Sequence, residues 1–347
     1  MKNRFILPVL ICLFFISCKQ DADLYLYDNM DNLAYEQKTL IEVLKNTESK
    51  EMSFAVKDRI AKNLKVKKKH KSLIVFLSSL IENNPDDIYK AYWLLMLANE
   101  YMEQKMPESA AYFFERVIKL DNDMEVSGKS IQYLSLKNLI NITNEPKRLV
   151  EYYSLLLSNF YDSIDPAYSY FMLAQNYEKL GEWNSAIQAY SKFISLGRFD
   201  LVIPGIPDNY GYARKIVDYS TSTKNWTMES LDELLQIIKA AIQRKDFDTL
   251  ERYRSKVNFF SMAWKQELSD IYGSPDFSLR NFMLGSYIKI EPEIDPSSTP
   301  YEAYLKTSGW NQYSRIWYLY FRKVNFPADP EIHGRWEWAG IYYGEKI

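Results

Sequence analysis

The chain has 347 residues, with 43 Lys+Arg against 45 Asp+Glu and a formal net charge of −2. That balance excludes a general nucleic-acid binder, whose phosphate contacts require a clear cationic excess. Hydrophobic residues at 47% exclude a disordered chain, and the low counts of 11 Gly and 13 Pro favour long helices over a loop-rich all-β fold.

Both cysteines, Cys12 and Cys18, fall in the first eighteen residues. Lys2 and Arg4 precede an apolar run from Phe5 to Ile16, and the small residue Ser17 stands before Cys18. Basic, apolar and small-residue regions in that order make an export signal. The run is shorter than the roughly 20 residues a spanning helix needs. Phe15-Ile16-Ser17-Cys18 resembles a bacterial lipobox, with Phe15 where Leu is usual. The resemblance implies that residues 1–17 are a signal peptide and that Cys18 carries lipid. Residues 18–32 then form a polar tether. An ordinary signal or an uncleaved anchor is the alternative. Two acyl chains attach a protein stably to a membrane where one is marginal. The expected location is the bacterial cell envelope, lipid-anchored and periplasm-facing. With Cys18 lipidated the mature chain holds no free thiol, so neither a disulfide nor a cysteine nucleophile is expected.

Leu33, Leu40, Ile41, Val43 and Leu44 recur at helical spacing and predict a helix over 33–47. The strongest charge run follows, comprising Lys62, Lys65, Lys67, Lys68, Lys69, His70 and Lys71. It falls at a turn between two helices. It reads either as a solvated loop or as a contact for anionic lipid, worth about 1 kcal/mol per cation near the surface.

The segment 165–197 places Tyr170, Leu173, Ala174 and Tyr177 on one helix and Ala186, Tyr190 and Phe193 on the next, with Gly181 between them. This pattern resembles a tetratricopeptide repeat, a helical pair of about 34 residues. Phe193 stands where that family usually has Ala. A second copy carries Leu94, Leu97, Ala98, Tyr101, Ala110, Phe114 and Val117. Two degenerate copies contain Ile60, Ala61, Leu64, Leu73, Leu77 and Leu80, and Tyr133, Leu136, Ile140, Leu149, Tyr153 and Leu156. The anchors Leu64, Tyr101, Ile140 and Tyr177 recur every 37–39 residues. A generic helical array is the plainer alternative.

The resemblance implies a concave groove lined by the first helix of each repeat. Its positions here are Tyr92, Leu95, Asn99 and Glu103, then Leu134 and Asn138, then Tyr168, Phe171, Gln175 and Lys179. Amides at Asn99, Asn138 and Gln175 donate to and accept from a peptide backbone. Leu95 stands where carboxylate-clamping members of the family have Lys, which disfavours capture of a chain terminus. The same residues are equally consistent with helix surface or inter-repeat packing.

Residues 200–223 concentrate Pro204, Gly205, Pro207 and Gly211 and end the repeat pattern. Six of the eight tryptophans lie beyond them. Ser230 to Glu233 is a capping box, followed by the apolar face Leu234, Leu235, Ile238, Ala241 and Ile242. A second helix is expected over 247–260. Alternation of Tyr313, Arg315, Trp317, Leu319 and Phe321 with their neighbours predicts a strand, and 336–343 predicts another. Two helices and then three or four antiparallel strands give a small α+β domain. This part resembles the cone-shaped folds related to nuclear transport factor two and SnoaL. That resemblance implies a pocket lined by Trp310, Trp317, Trp336 and Trp338, although large aromatics are more often core.

No phosphate-loop, dinucleotide, zinc-protease or nucleophile-elbow motif is present. His70 and His333 are the only histidines. His333, beside Arg335 and Glu337, is the one acid–base candidate, although a lone His in such a turn is more often structural. The sequence thus describes a mainly α chain: a signal peptide over 1–17, a lipidated tether over 18–32, a repeat solenoid over 33–222 and an α+β domain over 223–347. The expected role is non-catalytic: an adaptor that holds a protein or an extended peptide in the groove, with no cofactor, metal or nucleic acid. The alternative is a small-ligand receptor that uses the aromatic pocket while the repeats dock a transporter.

Overall fold

The structure is a computed structural model that describes residues 22–264, 279–283, 287–310 and 315–346. The export signal, Cys12 and Cys18 lie outside the described residues. Two compact units divide the chain, one ending at Thr143 and the other beginning at Asn144.

The first unit contains α1 (Leu24–Tyr27), α2 (Ala34–Asn46), α3 (Lys50–Val66), α4 (His70–Asn83), α5 (Lys90–Glu103), α6 (Pro107–Ile118) and α7 (Ile131–Ile142). A small hairpin of β1 (Glu125–Val126) and β2 (Lys129–Ser130) leads into α7. The predicted helix over 33–47 is α2. The stretch read as a polar tether is docked from Leu24 onward, because Leu26 and Met30 are buried. The apolar repeat positions of α3 to α6 are buried, including Ile60, Leu64, Leu73, Leu94, Ala98, Ala110 and Phe114.

The second unit begins with α8 (Pro146–Asn159), α9 (Pro166–Lys179), α10 (Trp183–Ser195) and α11 (Asn209–Thr221). Leu173, Ala174, Ala186, Tyr190 and Phe193 are all buried. The small side chains of Ala174 and Ala186 let α9 and α10 approach closely, and the aromatics fill the space beside them.

One turn geometry recurs at several helix ends. At the end of α9, Gly181 adopts φ +74° while the amide of Glu182 donates to the carbonyl of Tyr177 at 2.9 Å. At the end of α5, Lys105 takes φ +57° while Met106 donates to Tyr101 at 2.9 Å. After α3, Lys68 takes φ +54° while Lys69 donates to Leu64 at 2.9 Å. Each is a Schellman closure that satisfies orphan carbonyls, and the accepting residues are three of the four sequence anchors. Helix α7 lacks it and ends at Thr143 in extended backbone, in keeping with the degeneracy of that copy.

Downstream lie α12 (Leu231–Arg244), α13 (Phe247–Tyr253), β3 (Phe260–Ala263), α14 (Leu279–Met283), β4 (Lys289–Ile290), β5 (Glu302–Ser308), β6 (Ile316–Lys323) and β7 (Trp336–Tyr343). Ser230 caps α12 as predicted, its hydroxyl accepting from the amide of Glu233. The helix expected over 247–260 stops at Tyr253. Arg254 turns extended and the chain enters β3 instead. The sheet has five strands in the order β3-β7-β6-β5-β4, with β3 parallel to β7 and the other neighbours antiparallel. Strands β4 to β7 are the antiparallel set of three or four that the sequence predicts, of which it locates β6 and β7; the parallel edge strand β3 is the addition. Trp317, Leu319 and Phe321 share one core with Leu234, Ile238, Ile242, Ala303, Leu305 and Trp338. The opposite face groups Phe260, Met262, Tyr320 and Ala339, with Tyr304 and Tyr342 packed against them.

The boundary between units falls at 143/144, not at the compositional break near 223. Across residue 223 the chain stays joined, because α11 and the sheet share a buried polar cluster centred on Glu337.

Candidate functional site

Helix α9 is set by Asp165, whose carboxylate accepts the amides of Ala167 and Tyr168 at 2.9 and 3.2 Å. Its buried side carries Ala167, Phe171, Leu173 and Ala174. Phe171, expected in the groove, is fully buried between Tyr190 and Phe193 at ring distances of 5.5 and 5.2 Å. It is core, because an aromatic in that position fills the gap left by the alanines. Tyr168 is 37% exposed, Lys179 is exposed, and Gln175 is half-buried. Among the described residues, Gln175 makes no side-chain hydrogen bond. Beside them, Glu178 accepts the hydroxyl of Tyr212 at 3.0 Å. Burial holds the Glu178 carboxyl above the usual range, and the tyrosine hydroxyls only partly oppose this.

In the first unit the predicted positions separate in the same way. Leu95 is buried core. The hydroxyl of Tyr92 donates to Asp58 at 2.6 Å, and burial together with that bond raises its pKa. Glu103 pairs with Lys65 at 2.6 Å. Asn138 spends its amide on the carbonyl of Leu134, one turn earlier on the same helix, at 2.9 Å. Asn99 is half-buried and makes no side-chain hydrogen bond among the described residues. Tyr168 shares a side-chain hydrogen bond with Tyr153, so Asn99, Gln175 and Lys179 are the predicted polar residues that stay uncommitted.

The basic run sits at the α3–α4 turn as expected, and part of it is neutralised. Lys62 pairs with Asp58 at 2.6 Å and Lys67 with Asp31 at 3.1 Å. His70 is not a bare loop residue: its Nδ1 lies 2.6 Å from the carboxylate of buried Glu100. A cleft of about 420 Å³ opens between the start of α3 and the α4–α5 connection. Ser49, Lys57, Asn84 and Ile88 line it, over Phe54 and Tyr89 stacked at 4.1 Å. None of the predicted groove residues lines it.

The four tryptophans read as pocket lining are core residues. Trp310 and Trp317 stack at 4.4 Å and Trp338 is fully buried, while Trp336 is 7% exposed. Thr307 takes the indole N–H of Trp310 at 2.7 Å, so even that polar atom is satisfied internally.

Sequence reasoning underrates Glu337, which is fully buried on β7. One of its oxygens accepts Arg322 Nε at 2.8 Å and the Tyr219 hydroxyl at 2.9 Å. The other accepts Trp226 Nε1 at 3.0 Å and the Ser255 hydroxyl at 2.7 Å. Those donors come from α11, two loops and β6. His333 turns elsewhere, its Nδ1 accepting the amide of Phe326 at 3.2 Å, so the acid–base pairing with Glu337 is not formed. Only the alternation of 336–343 hints at Glu337, as a charge inside an otherwise apolar strand.

Residues 168–196, which run from the first turn of α9 through α10, match the tetratricopeptide repeat family. The chain contains a tetratricopeptide repeat. No curated protein matches it. Among solved structures, the crystal structure of MamA protein is similar over 56% of this chain and 93% of that one, at 18% identity and a TM-score of 0.30. A superposition that loose specifies no shared arrangement. Among the described residues no group of three His, Cys, Asp or Glu is placed to hold a metal ion. No described helix is long and apolar enough to cross a membrane.

Proposed function

We propose that this protein is a non-catalytic adaptor of the bacterial cell envelope that holds an extended protein segment against its tetratricopeptide helices and is tethered through lipid on Cys18. The observation that carries the binding role is the division of labour on α9. Phe171, Leu173 and Ala174 complete the core, while Gln175 and Lys179 remain available beside the exposed ring of Tyr168, whose side chain also bonds Tyr153. A helix that packs without its polar–aromatic stripe leaves that stripe for a ligand. In the first unit, α5 likewise leaves Asn99 half-buried and without a side-chain hydrogen bond among the described residues. The small-ligand alternative loses its support, because its tryptophans are packed in the core.

The test places a photo-crosslinking residue at Gln175 or, as a control, at exposed Lys192 on α10. Detergent-solubilised envelopes then show which protein is joined. The reading expects a partner joined from position 175 and not from 192, with at least tenfold weaker capture, about 1.4 kcal/mol, in the folded Asn99→Ala, Gln175→Ala double variant. Equal joining from both positions, or full retention by the double variant, overturns it. Anchoring is tested separately: Cys18→Ser should release the protein from membranes or leave it unprocessed, and unchanged mass and partitioning would refute lipidation.

A further inference from the structure

The basic run at the α3–α4 turn is only partly answered by its surroundings. Lys62, Lys65 and Lys67 pair with Asp58, Glu103 and Asp31, and His70 meets buried Glu100. Lys68 and Lys71 are exposed, Lys69 is half-exposed, and the three make no ion pair among the described residues. The contacts of Lys65 with Glu103 and of His70 with Glu100 bring the α5–α6 turn beside this one. There Lys105 is exposed and equally unpaired among the described residues. Of the carboxylates near these turns in sequence, Asp28 and Glu108 are unpaired as well, so the cations stay in excess. The local fold gains nothing from the placement. Lys69 is the N-cap of α4 and Lys71 lies in its first turn, with no capping side chain and no acidic residue there. A helix N-terminus carries partial positive charge and disfavours cations. Two apolar side chains stand at the same two turns, Val66 at 72% exposure and Met106 at 46%.

The start of the described chain bears on which partner the patch meets. Asp23 pairs with Lys45 in the last turn of α2 at 2.6 Å, whereas Asp31 pairs with Lys67. The first turn of α2 lies beside the end of α3, with Glu36 on Arg59 and Gln37 on the carbonyl of Ile60. The 13 residues of α2, about 20 Å of helix, therefore separate the Asp23 end from the basic turn. Cys18 precedes Asp23 by five residues, at most about 18 Å of extended chain. The lipid attachment proposed above thus leaves from the end of α2 away from these lysines.

We infer that Lys68, Lys69, Lys71 and Lys105 form a docking surface for an acidic protein segment, whose carboxylates meet the ammonium groups while an apolar side chain covers Val66 and Met106. The choice of a protein over a bilayer rests on the anchor at Cys18; the binding itself does not.

The experiment titrates the detergent-solubilised full chain with a fluorescent ten-residue peptide of Asp and Glu around a central Leu. Wild type should bind it saturably, and more weakly as salt rises. The triple variant Lys68→Gln, Lys69→Gln, Lys71→Gln should bind at least tenfold more weakly while melting no lower than wild type. The charge-matched control Lys50→Gln, Lys119→Gln, Lys129→Gln alters exposed lysines at the start of α3 and beyond the end of α6, and should keep the binding. Wild type and the lysine-turn variant should also be retained equally by phosphatidylglycerol and phosphatidylcholine vesicles. Retention by neither vesicle would refute the anchor alone and leave the peptide result standing. No saturable peptide binding, an equal loss in the control, or a preference for phosphatidylglycerol that the lysine-turn variant loses overturns the inference, the last in favour of lipid.

Discussion

Lys105 occupies a backbone position where the equivalent repeat has Gly181, at φ +57° against +74°. A side chain with a β-carbon is strained in the left-handed region by about 1 kcal/mol or more, whereas glycine is not. Lys105→Gly should therefore stabilise the chain by about 0.5 kcal/mol after the added freedom of the unfolded state is deducted. Gly181→Ala should cost about 1 kcal/mol, and by strain alone, because an added β-carbon there meets nothing within 4 Å. Chemical unfolding of both variants checks the pair, and opposite signs are the expected result. Glu178 offers a pH-dependent counterpart. Burial, the chief cause, raises its folded pKa, so the folded state favours the proton more than the unfolded state does. Its contribution to stability is complete below the unfolded value and is lost as pH rises through the folded one. Glu178→Gln removes that loss. Its stability relative to the wild type should grow between about pH 4 and pH 7, read from melts across that range. A flat difference would mean that the carboxyl is not perturbed.

Between elements, the hairpin of α9 and α10 depends on Ala174 and Ala186, both fully buried. Ala186→Leu should overpack this contact and cost about 1–3 kcal/mol, while Gln175→Ala should leave stability nearly unchanged. Thermal melts rank the two, and the reverse order would contradict the packing of this hairpin. These alanines are readable in the sequence because a repeat copies its contacts at fixed spacing, so Ala98 and Ala174 hold equivalent places in two copies. The sheet is less readable. Strand β6 declares itself by alternation, but in β5 the inward residues flanking Leu305 are the small Ala303 and the polar Thr307, which leaves a single large apolar residue and a weak signal. Sequence periodicity overruns helix α13 because the residues after it remain helix-compatible. What ends the helix is the pull of the sheet on Ser255, whose amide donates to the carbonyl of Trp338 at 2.9 Å. Pairing of that kind lies 83 residues away in sequence and leaves no local trace. In the candidate site, exposure follows the repeat register for Tyr168 and Gln175. Register alone does not show that Phe171 and Leu95 are needed inside, nor that Tyr92 is committed to Asp58.

At the scale of the whole chain, the decisive question is where a fragment can be cut and still fold. Composition breaks near 223, and a fragment of 223–347 would keep α12, α13 and the entire sheet. It would also remove Tyr219 from Glu337, together with the stacking of Tyr219 on Phe326 at 5.4 Å and the contact of Trp183 with Phe326 at 6.5 Å. Glu337 would keep Arg322, Trp226 and Ser255, but the removed helices would no longer cover the edge of this cluster. Phe326, now 1% exposed, would lose two of its aromatic neighbours. A newly hydrated apolar surface of about 100 Å² costs about 2.5 kcal/mol, and an unsatisfied buried polar group about 1–3 kcal/mol more. Those losses are comparable with the roughly 5–15 kcal/mol that holds an ordinary domain folded. A fragment of 144–347 keeps every one of these contacts. It should unfold in one cooperative transition, with its tryptophan emission still that of buried indoles. The 223–347 fragment should melt broadly or at a much lower temperature and bind a hydrophobic dye. Equal cooperativity of the two fragments would show that the sheet domain closes its own core and that the cluster around Glu337 is a surface attachment.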